Sequence, residues 1–85
     1  KLTLNDIIDV HKKISKNVKW TETASEVISE KLGINIFFKF ENRQNTGAFK
    51  VRGSYSKLLS LSEDERSSGV VAMSAGNHAQ GLAFI

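Results

Sequence analysis

At 85 residues, with 40% hydrophobic and 25% charged residues and neither proline nor cysteine, the chain has the composition of one small globular unit, not of a disordered or disulfide-stapled one. A domain of this size buries only a little over ~60% of the surface its unfolded chain exposes, and there is no cysteine to compensate with a disulfide or a thiolate metal site. The formal net charge of +3 is spread among acidic residues, which disfavours a nucleic-acid partner; no apolar run is long enough to span a bilayer, no signal peptide is evident, and the lack of cysteine fits a reducing, cytoplasmic setting.

Thr3 followed by Asp6 has the form of a capping box, and Leu4, Ile7, Ile8, His11 and Ile14 recur at helical spacing, so a helix is expected to run from there to about Asn17. Lys12, Lys13 and Lys16 form its wet face, and His11, on or beside the apolar stripe, is expected to pack without a catalytic role. Trp20, Thr21 and Thr23 lean toward a strand, while Ala24 to Leu32 suits a short helix ended by Gly33. Ile34 to Phe40 is expected to be a strand buried on both faces, because its apolar character is nearly continuous. A polar loop follows from Glu41 to Gly47, then a helix from about Ala48 to Leu61 with Val51, Tyr55, Leu58 and Leu59 on one side. Ser62 and Glu65 open another helix, Gly69 breaks it, Val70 to Met73 is expected as a short buried strand, and a helix starts at Ala79 after a turn at Gly76-Asn77. Strand, loop, helix, strand, loop, helix implies an α/β fold with parallel strands and flanking helices. Two or three strands do not close such a domain, and the chain starts on Lys1 and stops in an apolar run at Ile85, so it reads as a fragment of a longer protein.

Ligands of open parallel sheets bind beyond the carboxyl ends of the strands. Two runs fall there: Thr46-Gly47-Ala48-Phe49-Lys50 and Ser74-Ala75-Gly76-Asn77-His78. Each precedes or opens a helix, where unpaired N–H groups suit an anion. A lysine amine becomes a nucleophile when burial, cationic neighbours or a helix start lower its pKa; Arg52 and the helix start are the cationic candidates here, and Phe49 offers an apolar wall. Alone, Lys50 reads as a solvated helix lysine, Gly76-Asn77 as an ordinary turn and Ser74 as a helix cap; Glu41, Arg43 and Arg52 read as structural.

The run FENRQNTGAFKVRGS from Phe40 to Ser54 resembles the pyridoxal-phosphate attachment signature of the serine/threonine dehydratases, and SAGNHAQG from Ser74 to Gly81 resembles their asparagine loop. The resemblance extends back to Thr21 and is closest to the threonine dehydratases (threonine ammonia-lyases). It implies that residues 1–85 are the incomplete N-terminal part of a tryptophan-synthase-β-like catalytic domain. It implies pyridoxal 5'-phosphate as cofactor, bound covalently by Lys50 with Phe49 nearby and Asn77 on the ring hydroxyl oxygen. Ser74, Ala75, Gly76, Asn77 and His78 would hold the carboxylate of an amino-acid substrate, and Lys50 would act as base at Cα. The implied reaction is β-elimination of L-threonine, or L-serine, to a 2-oxo acid and ammonia, in a full-length homo-oligomer; the family's phosphate loop is expected beyond Ile85, so the 85-residue piece alone is expected to be inactive. Serine racemase, another enzyme of the same fold, and a non-catalytic anion- or partner-binding remnant are the alternatives. The family often has Thr-Pro-Leu where this chain has Thr21-Glu22-Thr23, and serine racemases typically place a serine where this chain has Ala75.

Overall fold

The structure is a computed structural model that describes residues 1–21 and 23–85. Glu22, where the run departs from Thr-Pro-Leu, lies outside them. Helix α1 (Leu4–Ile14) begins with the expected capping box. The Thr3 hydroxyl accepts from the Asp6 N–H at 3.3 Å, and the Asp6 carboxylate accepts from the Thr3 N–H at 2.7 Å. The Thr3 N–H, and the Thr3 hydroxyl donating to the same carboxylate at 2.8 Å, hold the Asp6 carboxyl below its usual value. Of the expected stripe only Ile14 is buried; Leu4, Ile7, Ile8 and also His11 are exposed.

Strand β1 (Thr23–Ala24) leads into helix α2 (Glu26–Leu32), which Gly33 ends in the left-handed conformation at φ 66°. Strand β2 (Phe37–Phe38) pairs with β1 in antiparallel register, Thr23 opposite Phe38 and Ala24 opposite Phe37. This corrects the expectation of parallel strands: it is the one strand pair among the described residues. It also shortens the strand expected over Ile34 to Phe40, and Phe37 is 69% exposed instead of buried on both faces.

Two single 3₁₀ turns (Glu41–Arg43 and Asn45–Gly47) precede α3 (Lys50–Ser60). Helix α4 (Glu63–Ser67) carries the second capping box, the Ser62 hydroxyl accepting from the Glu65 N–H at 3.2 Å. Val70 to Met73 is not a strand; Val71 and Met73 are fully exposed. A strand's backbone groups need a neighbouring strand, and none adjoins this segment among the described residues. Helix α5 (Asn77–Ala83) starts two residues earlier than the expected Ala79.

The small core sits where α3 meets α1 and α5: Ile14, Ala48 and Val51 are buried, the last completely. A compact chain of this length would have a radius of gyration of about 12 Å, against 16.2 Å here. The apolar segments around β2 and residues 70–73 are exposed, while α3 and α5 pack together. No described helix is long and apolar enough to cross a membrane.

Candidate active site

A polar clamp fastens the loop before α3. The Gln44 side chain, only 3% exposed, accepts from the Lys19 N–H and donates to the Lys19 carbonyl, both at 2.8 Å. The Asn45 side chain donates to the Asn17 carbonyl at 3.0 Å. Glu41 Oε1 accepts from Arg52 Nε at 2.9 Å, Arg52 Nη2 at 2.7 Å and the Thr21 hydroxyl at 2.8 Å. Arg52 Nη2 also donates to the Lys19 carbonyl at 3.3 Å. The hydrogen bonds from Arg52, aided by Thr21 and opposed by burial, hold the Glu41 carboxyl below its usual value. Arg52 is thereby committed to Glu41. That corrects its expected place as a cationic influence on Lys50 and bears out its structural reading.

Thr46 and Gly47 then turn the chain with φ 65° and 69°. Positive φ is natural for glycine but rare for a β-branched residue, and the Thr46 hydroxyl is buried without a partner among the described residues. The turn sets Ala48 extended and buried, Phe49 helical, and Lys50 as the first residue of α3. Lys50 is exposed, not buried; its amine lies 4.9 Å from the centre of the exposed Phe49 ring, which supplies the expected apolar neighbour. Lys50 makes no ion pair with any described residue.

The second loop is built by Ser74, whose hydroxyl accepts from the N–H groups of Gly76 at 3.2 Å and Ala79 at 3.3 Å. Ser74 lies two residues before Gly76, the N-cap of α5, and its hydroxyl occupies two donors that a carboxylate would otherwise use. Among the described residues the N–H groups of Asn77 and His78 have no acceptor. They open α5, where the helix dipole favours negative charge. Ala75, Gly76 and Asn77 are exposed, and a Cβ built on Gly76 meets nothing within 4 Å. The His78 side chain instead lines a cavity of about 280 Å³ with Leu58, Val70, Val71 and Leu82; neither Lys50 nor Asn77 lines it.

Helix α5 packs on α3 and on the turn at Asn45–Gly47 that leads to Lys50. Neither Gln44, whose side chain fastens the loop before α3, nor Gly81, whose bare face lets α5 approach α3, stands out in the sequence. Gln44 carries no signal beyond its polar surroundings; Gly81, a glycine inside an expected helix, carries the usual hint of close packing.

A family profile described as pyridoxal-phosphate dependent enzyme matches residues 14–85. The chain is similar to the L-threonine ammonia-lyase of Thermotoga maritima, 52% identical over 98% of this chain and 21% of that protein. It is similar to the catabolic L-threonine dehydratase of Escherichia coli K12, 45% identical over 98% of this chain and 26% of that protein. The crystal structure of serine racemase from Dictyostelium discoideum superposes with a TM-score of 0.88 at 44% identity, covering 98% of this chain and 27% of that one. The chain thus spans about a quarter of the length of the relatives it matches. With a profile match over most of its residues and relatives of this similarity, it belongs to the pyridoxal-phosphate-dependent enzyme family.

Proposed function

We propose that the chain supplies the lysine-bearing part of the active site of a lyase that converts L-threonine, and L-serine, to a 2-oxo acid and ammonia. The observation that carries this reading is the packing of α5, at Gly81, against the first turn of α3, where Lys50 stands. Lys50 opens α3, Asn77 opens α5, and the two helices pack together. Pyridoxal phosphate requires a primary amine for its aldehyde and an open approach beside it. The exposed Lys50 amine, without an ion-pair partner among the described residues, and the open space over Gly76 fit that group. When bound, the cofactor supplies an electron sink.

The protein's own residues do the rest. Lys50 would hold the cofactor through its amine, and as a free amine it would hold and move the proton at the substrate's Cα. Phe49 lies beside the lysine amine, and the Asn77 amide would donate to the cofactor's ring oxygen. The N–H groups of Asn77 and His78, in the loop from Ser74 through Ala75 and Gly76, hold the substrate carboxylate. Ser74 shapes that loop through the two N–H groups its hydroxyl accepts from. A small amino acid is the partner this suits, and self-association of the full-length protein belongs to the same reading. In the full-length protein, borohydride reduction after addition of pyridoxal phosphate should fix label on Lys50 in a peptide map. Label elsewhere, or none, removes the lyase reading in favour of a non-catalytic remnant.

A racemase is the second reading, supported by the 44% identity to the Dictyostelium enzyme over nearly all of this chain. Position 75 separates the two. A racemase needs an acid/base group on the cofactor face opposite Lys50, and Ala75 carries no titratable atom. Ala75→Ser in the full-length protein is expected to introduce a low rate of D-serine formation from L-serine, read by chiral chromatography. D-serine already formed by the parent at the variant's rate would favour the racemase reading.

A further inference from the structure

Gly81 lies in the middle of α5, where glycine is less favourable than alanine, so its presence calls for a physical reason. It is buried, and the reason is space. A Cβ at this position would stand 3.1 Å from the Ser54 hydroxyl, 3.2 Å from the Val51 nitrogen and 3.3 Å from the Lys50 carbonyl carbon. Two of these three atoms are backbone, which cannot swing aside as a flexible side chain does. The third belongs to a buried serine whose hydroxyl donates to the Lys50 carbonyl at 3.2 Å. The bare face of Gly81 therefore rests on the peptide that carries Lys50. Four residues earlier on the same helix stands Asn77. By contrast, a Cβ on Gly53, also helical, would meet nothing within 4 Å.

We propose that Gly81 is a positioning residue that sets the separation between Lys50 and the Asn77 loop. A methyl group there would wedge α5 away from the first turn of α3 by a few tenths of an ångström. The wedge acts on the Lys50 backbone and touches neither cofactor nor substrate. The inference rests on the reading of Lys50 as the cofactor-anchoring amine.

The test uses the full-length protein loaded with pyridoxal phosphate. Wild type and Gly81→Ala are compared by the visible band of the bound cofactor titrated against pH, by the cofactor dissociation constant, and by kcat and KM. Small misplacements at a reacting centre are costly, so kcat should fall about tenfold or more with a smaller change in KM. The pH at which the band changes should move with it. A folded Gly81→Ala protein with an unaltered band and cofactor affinity overturns the proposal, whatever its melting temperature. If Gly81→Ala does not fold, Ser54→Ala/Gly81→Ala removes the nearest of the three obstacles while leaving both backbone contacts. A folded double variant with a displaced band supports the proposal, and one with the wild-type band overturns it. Failure of both to fold also overturns it, since Gly81 would then serve packing alone. Wild-type protein unlabelled at Lys50 by borohydride overturns the functional reading itself. That result is distinct from a labelled wild type whose variant is indistinguishable from it.

Discussion

Lys50→Ala in the full-length protein is expected to lower turnover of threonine by about 10²–10⁴-fold through loss of proton transfer alone. Loss of the anchoring amine adds to that. The borohydride-fixed label should vanish from the peptide containing residue 50. Stability should change little, because Lys50 is exposed and makes no ion pair among the described residues. This combination separates the catalytic role from a structural one: a thermal midpoint near wild type, no label and no turnover. Lys50→Arg keeps the charge and most of the length but cannot form the covalent attachment, so it should be as inactive as alanine. Substantial activity in Lys50→Arg would sink the nucleophile assignment.

Arg52→Leu is expected to have the largest effect on stability. It removes both guanidinium bonds to Glu41 and the bond to the Lys19 carbonyl. Glu41 is left half-buried with the Thr21 hydroxyl and with Lys39 at 3.8 Å. Hydrogen bonds to charged groups contribute about 1.5–3 kcal/mol, and the loss should fall in that range. Denaturant unfolding of the full-length protein measures it. The pH dependence gives a second check. Because Arg52 lowers the folded Glu41 pKa below the ordinary 4.5, the stabilisation is fully present above that value. It is lost as pH falls through the lowered folded value, where the carboxylate takes up a proton. The gap between wild type and Arg52→Leu should therefore be widest above about pH 4.5 and narrow in acid. A gap that does not narrow in acid would mean that Arg52 acts by packing and not through the Glu41 charge.

Local signals in the sequence translated well. The capping boxes at Thr3 and Ser62 and the left-handed stop at Gly33 depend on residues within a few positions of each other, and all three formed as expected. The two loops at helix starts were legible to within two residues, α3 starting at Lys50 against the expected Ala48 and α5 at Asn77 against the expected Ala79, while the positive φ of Thr46 was not. Strands were not. Ile34 to Phe40 and Val70 to Met73 have the apolar character of buried strands, but apolar character records a preference for burial and does not supply a partner. Phe37–Phe38 found its partner in Thr23–Ala24 and ran antiparallel; Val70 to Met73 found none among the described residues. His11 and the Leu4, Ile7, Ile8 stripe illustrate the same gap, being periodic yet exposed. The direction of Arg52 was hidden for another reason. Its proximity to Lys50 in sequence suggested electrostatic influence, whereas helical geometry turns residues two apart away from each other.

The Gln44 clamp has a consequence for which residues are free to vary. Its amide takes the Lys19 N–H and offers its own N–H to the Lys19 carbonyl, so it acts as a peptide group borrowed from a side chain. What it recognises at position 19 is main chain, which every residue except proline presents alike. The identity of residue 19 is therefore nearly irrelevant to the joint, while residue 44 must be both donor and acceptor at that reach. Glutamate would keep the acceptor and lose the donor, and leucine would lose both. Substitutions that look equally drastic on paper are thus expected to be tolerated freely on one side of the contact and poorly on the other.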